Sequence, residues 1–209
     1  MQHAEKTKKK EATAKRDGYH HGDLRAGLVE ATRALVEEKG PDRFSVSDAC
    51  RLAGVSTAAP YRHFSDKEEM LRAVALEGML RNRDMFAAAA AKHPLGSLDA
   101  IAAMGMAYIE FAQTEPGVFR LMFGLTREHD KDPELMEQGK ANYGILLQHM
   151  AARMGKAEID DDVAKRAFPL WTFVHGLSFL LIDEKVSAME LDLDISKVVR
   201  ANTRRLLAD

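Results

Sequence analysis

The stretch SVSDACRLAGVSTAAPYRHFSDKE, residues 45–68, holds two helix starts with a forced stop between them. Ser45-Val46-Ser47-Asp48 has the spacing of a capping box, in which a hydroxyl and a carboxylate each satisfy a free backbone N–H. Ser65-Asp66-Lys67-Glu68 repeats it. Gly54 adopts positive φ without steric cost, so a helix over Val46–Ala53 can turn sharply there. That leaves room for one short helix, over Thr57–His63, before a long one that runs to the alanines near Ala91. Pro60 falls inside the short helix. With Ser56 as N-cap it is the fourth helical residue; with Thr57, the third. The first helical N–H groups have no internal partner, so the usual penalty of about 3 kcal/mol for a mid-helix proline mostly does not apply. Four residues before Phe64, Pro60 is expected to face the core of a three-helix unit.

The remainder also reads as helix. Leu24, Leu28, Ala31 and Leu35 recur at helical spacing and Gly40 stops them, giving a helix over Asp23–Lys39. Pro94 and Gly96 break the chain before a helix over Leu98–Thr114, with Ile101, Met104, Tyr108 and Phe111 on one face. Pro116 opens a short helix through Phe119, Met122 and Phe123. TREHDKDPE reads as a polar loop, and a helix follows over Pro133–Met154. Asp160-Asp161-Asp162 sits where acidic groups favour a helix N-terminus, and that helix is expected to reach Lys185. VSAMELDLD reads as a connecting loop before a last helix over Ser196–Leu207. Apolar residues make up 46% and aromatics 7%, with Ala, Leu and Met abundant, which favours helix. The expected fold class is all-α, with about nine helices.

Cys50 is the only cysteine, so no intrachain disulfide and no cysteine-rich metal site can form. The start is polar and basic, without the apolar core of a signal peptide. No stretch approaches the roughly 20 apolar residues of a membrane span. The expectation is a cytoplasmic protein with no membrane partner and no cofactor. A net charge of −2 hides an asymmetry, since Lys6, Lys8, Lys9, Lys10, Lys15 and Arg16 stand against only Glu5 and Glu11. Such a tail is either a nucleic-acid arm or a solubilising one. His20 and His21 belong with the arm, because no third metal ligand accompanies them.

A helix, a glycine turn and a short second helix have the layout of a helix-turn-helix, whose second helix enters the DNA major groove. On YHHGDLRAGLVEATRALVEEKG and FSVSDACRLAGVSTAAPYRHFSDKEEML, residues 19–72 resemble the N-terminal domain of TetR-type bacterial transcriptional regulators. Gly54, Val55, Tyr61, Phe64, Lys67 and Leu71 carry the resemblance. WTFVHGL, residues 171–177, resembles the W-x-x-x-H-G element of one subgroup. Cys50 departs from the pattern, standing where a small alanine is usual. The resemblance implies that Thr57, Ala58, Tyr61, Arg62 and His63 occupy the recognition helix. Tyr61 and His63 then fall at phosphates or neighbouring bases, and Lys67, with its helix N-terminus, meets a backbone phosphate. Ser45 and Ser47 are placed to do likewise, although Ser45 is a cap first. Thr57 and Ala58 can meet a thymine methyl and Arg62 a guanine. Phe64 reads as core; Tyr61 reads as a DNA contact or a core aromatic, and Arg51 as a phosphate contact or a solvated residue.

The expected organisation is a flexible basic arm over 1–18, a DNA-binding domain over 19–66, and an effector-binding and dimerisation domain over 67–209. From Phe168 to Ile182 both helix faces are largely apolar, as in a helix buried on several sides. The resemblance implies that the last two helices pack against their symmetry mates. The interface is expected to use Phe168, Trp171, His175, Ser178, Ile182, Val198, Val199 and Leu206. A ligand pocket, apolar with a few polar groups, is expected from Met104, Tyr108, Phe111, Phe119, Met122, Phe123, Tyr143, Leu147, Trp171 and His175. Gly78 either loosens the helix between the two domains or permits close packing. The function this implies is a dimeric repressor that binds a palindromic operator in double-stranded DNA and is released by a small apolar or amphipathic effector. A helical enzyme is the alternative, with Glu128, His129, Asp130 and Asp132 as its acid–base or metal cluster. Another is an interaction protein that binds no DNA. No nucleophile–base arrangement and no phosphate loop supports the enzyme.

Overall fold

The computed structural model describes residues 24–124, 132–190 and 192–208, and every regular element in them is helical. α1 (Leu24–Lys39) buries the apolar stripe of Leu28, Val29, Leu35 and Val36. α2 (Val46–Ala53) begins at the capping box. The Ser45 hydroxyl accepts from the Asp48 N–H at 3.2 Å, and the Asp48 carboxylate accepts from the Ser45 N–H at 2.8 Å. It ends at Gly54, whose φ of 70° lies in the left-handed region, at a cost of about 1–2 kcal/mol to a residue with a Cβ.

The segment after Gly54 differs from expectation. Only Pro60–Arg62 is helical, as a single 3-10 turn, and Thr57 and Ala58 form the turn before it. The proline is the reason. The Ala59 N–H bonds the Ser56 carbonyl at 3.0 Å, but Pro60 has no N–H to extend that ladder with an α-type bond. α-type spacing returns only when the Phe64 N–H reaches the Pro60 carbonyl at 2.9 Å. Pro60 therefore opens its helical turn instead of standing third or fourth in it. It is buried, as is Phe64.

α3 (Lys67–Ala90) starts one residue later than the second capping signature suggests. Asp66, not Ser65, is the cap, accepting from the Glu69 N–H at 2.9 Å, while the Glu69 carboxylate accepts from the Ser65 N–H at 2.6 Å. Aspartate and serine cap about equally well, so sequence alone does not separate them. α4 (Leu98–Thr114) buries Ile101, Met104, Tyr108 and Phe111. α5 (Pro116–Gly124), α6 (Pro133–Arg153), α7 (Asp161–Ile182), α8 (Lys185–Ala188) and α9 (Ile195–Leu206) complete the chain. α4 packs on α3, α5, α6, α7 and α9, which makes it the axis of the larger half. α7 stops before Lys185, because Glu184 takes a left-handed φ of 56°, and the segment expected as loop opens with the one-turn α8.

α3 runs through both halves and packs on α1, α4, α5 and α6. Gly78 lies at its crossing with α5. A Cβ there would stand 2.5 Å from the Val118 side chain, so the glycine serves close packing and is no hinge. A second tie is a helix cap made across elements. The Glu37 carboxylate, near the end of α1, accepts from the N–H groups of Gly117 and Val118, both at 2.8 Å. An acidic group on a helix N-terminus also meets its dipole favourably. Arg81 clasps Glu115 beside it through bonds of 2.9 and 2.6 Å.

Candidate functional site

Two places among the described residues present chemistry. The first is the surface around the 3-10 turn. Tyr61 is 64% exposed, and Thr57, Ala58, Arg62 and His63 are exposed with it. Burial of Pro60 and Phe64 beneath this turn forces its other side chains outward, which removes the reading of Tyr61 as a core aromatic. Ser45 and Ser47 are also exposed, but the Ser45 hydroxyl is occupied by Asp48 at 2.7 Å. Arg51 pairs with Asp48 on the same exposed face. Lys67, in the first turn of α3, holds its ammonium 4.3 Å from the centre of the Phe44 ring. That cation–π contact orders a long flexible side chain. His20, His21 and the basic arm lie outside the described residues.

The second place is a cavity of about 510 Å³ in the larger half, within the usual range for small-molecule sites. α3 supplies Met79, Asn82 and Phe86 to its wall, α6 supplies Asn142 and Tyr143, and Trp171 comes from α7. Of the expected ligand residues, Tyr108, Met122, Phe123, Tyr143 and Trp171 line it. Phe111 and Phe119 are fully buried in the core, Met104 faces a separate small void beside α7 and α9, and Leu147 packs on the core. Helical spacing marked them as inward-facing but not which inward space they meet. His175 is not on the wall either. Its Nδ1 lies 2.8 Å from the Tyr108 hydroxyl, so that ring nitrogen is spent on that bond. Burial pushes the Tyr108 phenol up, the Trp171 indole N–H opposing part of the shift, and burial holds the His175 imidazole below the ordinary histidine value. Both groups are therefore neutral near pH 7. Trp171 and His175, at i and i+4 on α7, stack with ring centres 5.2 Å apart.

Asn82 and Asn142 were not singled out in the sequence, because a polar residue within an amphipathic helix reads as solvent-facing. Asn82 is 3% exposed. Among the described residues its amide nitrogen has no hydrogen-bond partner, and neither has the side-chain oxygen of Asn142.

The α7 face assigned to a symmetry mate also needs correction. Ser178 and Val199 are fully buried within one chain, the Ser178 hydroxyl donating to the Val174 carbonyl at 2.8 Å. Neither can meet a second copy. The stripe from Trp171 through His175 to Ser178 turns inward. Thr172, Gly176 and Leu180 hold the exposed side, and Phe168 stands out at 55% exposed. Ile182 and Val198 are half-buried and Leu206 is exposed. Asp132, from the acidic loop of the enzyme reading, is the N-cap of α6 and pairs with Arg72 of α3. Glu128, His129 and Asp130 lie outside the described residues.

Residues 28–74 match the model of the tetR family of bacterial regulatory proteins, and residues 101–206 match that of the tetracyclin repressor-like C-terminal domain. The chain belongs to the TetR family. Among similar relatives is the nucleoid occlusion factor SlmA of Idiomarina loihiensis, 31% identical over 190 residues, covering 87% of this chain and 86% of that protein. The HTH-type transcriptional regulator TtgR of Pseudomonas putida is 24% identical over 179 residues, covering 80% and 85%. A solved structure of a protein of unknown function from Rhodococcus superposes with a TM-score of 0.77 at 26% identity, covering 91% of this chain and 97% of that one. As a TetR-family protein the chain is a helix-turn-helix transcriptional regulator. No described helix is long and apolar enough to cross a membrane.

Proposed function

We propose that this regulator binds a palindromic operator as a two-fold dimer and releases it when a small, largely apolar effector fills the cavity. The observation that carries the reading is the course of α3. Its first turn holds Lys67 beside the exposed 3-10 turn, and the same helix presents Met79, Asn82 and Phe86 to the cavity. A ligand can shift the protein between two shapes only by its difference in affinity for them. Couplings of this kind are worth about 1–3 kcal/mol, roughly 5- to 150-fold in operator affinity.

Base readout falls to Thr57, Ala58 and Arg62, and phosphate contact to Tyr61, His63, Lys67 and Ser47. Ser45 is left to its capping role. The dimer face comprises Phe168, Thr172, Gly176 and Leu180 of α7 with Val198 and Leu206 of α9. In this arrangement the two recognition turns meet half-sites about 34–36 Å apart, one DNA turn. The test is the affinity of Tyr61→Ala with Lys67→Ala for a duplex selected from random DNA by the wild type. Loss of affinity supports the assignment; retention shows that DNA is contacted elsewhere.

A further inference from the structure

The cavity wall is largely apolar, and two asparagines on it have unmet hydrogen bonds that are complementary. Asn142 reaches from α6 to α3, its amide nitrogen donating to the Met79 carbonyl at 3.0 Å. That bond fixes which way the amide points, so its oxygen must accept from something else, and it has no partner among the described residues. Met79 lies three residues before Asn82, about one helical turn away on α3. Asn82 and Asn142 both line the cavity wall. Asn82 is 3% exposed and its amide nitrogen lacks an acceptor. Buried polar groups are almost always paired, and an orphan in a native structure calls for a missing partner.

We propose that Asn82 and Asn142 form a head-group subsite for a neutral effector that both accepts and donates a hydrogen bond, such as a carboxamide or an alcohol carried on an apolar body. The Asn82 amide nitrogen donates to the ligand oxygen, and the ligand N–H or O–H donates to the Asn142 oxygen. A carboxylate or an ester satisfies only the first bond, and a carboxylate sets its charge against the Asn142 oxygen. Lys140, the cation on the cavity wall, is exposed, so its ammonium remains solvated at the rim. The inference rests on the cavity being the effector site.

Three decyl probes of equal chain length separate the possibilities: decanamide, which donates and accepts; methyl decanoate, which only accepts; and decanoate, which only accepts and is anionic. Binding to the full chain is followed by the emission of Trp171, its single tryptophan, which stands in the cavity wall. Decanamide is expected to bind at least about tenfold more tightly than the other two. Asn82→Leu, which removes the donor that all three probes use, is expected to weaken all of them, keep decanamide ahead of methyl decanoate and melt no lower than the wild type, since it removes an orphan donor. Asn142→Leu is expected to abolish the preference for decanamide over methyl decanoate while leaving methyl decanoate affinity nearly unchanged; because it also gives up the bond to Met79, that unchanged affinity shows that the cavity is intact. Equal binding of all three probes by the wild type would overturn the head-group subsite and leave the effector cavity standing. A preference for decanoate that disappears in Lys140→Met would replace it with an anion site. If no probe changes Trp171 emission, the cavity is not the effector site and both readings fall.

Discussion

Individual residues set how stability responds to pH. His149 is buried, its Nδ1 accepting from the Gly96 N–H at 3.2 Å, and burial holds its imidazole below the ordinary value of 6.5. His175 is shifted the same way. Above pH 6.5 these groups are neutral in both the folded and the unfolded chain. Below it the unfolded chain binds protons that the folded chain refuses, so stability falls as pH drops from 6.5 toward the lowered folded values. Asp132 acts in a lower window. Its bonds to Arg72 bring its carboxyl from 3.8 down to about 2. Its contribution is complete above 3.8 and is lost as pH falls through about 2. Melting temperature measured across pH should decline in both windows. His149→Gln with His175→Gln should flatten the upper one, and Asp132→Asn the lower. Tyr108→Phe, which breaks the bond to His175, should cost about 1 kcal/mol in chemical denaturation. Residues were legible in the sequence where burial alone decides, as with Phe64. They were not where two inward spaces compete, as with Phe111 and Phe119, or where a polar side chain turns inward, as with Asn82.

At the scale of elements, the helix boundaries were mostly legible because caps and breakers are local chemistry. Ser45, Gly54, Pro116 and Asp160 each mark an end in the sequence. The helix over Thr57–His63 was not, because one missing N–H changes which carbonyl each later N–H can reach. Contacts between elements carried no local signal at all, and Glu37 is the clearest case. It reads as a solvated charge at the end of α1, yet it caps α5 across the fold. Glu37→Ala leaves two N–H groups unmet and should cost about 0.5–2 kcal/mol, the worth of a helix cap, measured as a lower melting temperature. Met122 and Phe123, later in α5, line the cavity, so the same variant should weaken the effect of an effector on operator affinity. At Gly78, Ala would overlap Val118, and Gly78→Ala should destabilise by about 1–3 kcal/mol as an overpacked contact. A hinge glycine in the same place would tolerate it.

For the whole molecule, the account joins an exposed 3-10 turn, a continuous α3, a cavity and an α7–α9 face into one switch. In the proposed function, the last of these sets oligomeric state. Leu180 is 46% exposed on the outer side of α7. Leu180→Arg should give a monomer by light scattering at micromolar concentration and lose operator affinity, because one copy meets only one half-site. The DNA-facing surface sets salt dependence. Lys67→Ala should weaken binding nearly uniformly across sequences and lower the slope of log affinity against log salt by about 1. Arg62→Ala should relax sequence preference instead, at about 1–3 kcal/mol for the cognate site. The most direct test of the switch is fluorescence anisotropy of a selected operator duplex titrated with wild-type protein and with Tyr61→Ala, Lys67→Ala. The account predicts tight binding by the wild type that falls steeply with salt and is lost in the double variant. Equal affinity of the two proteins would contradict it.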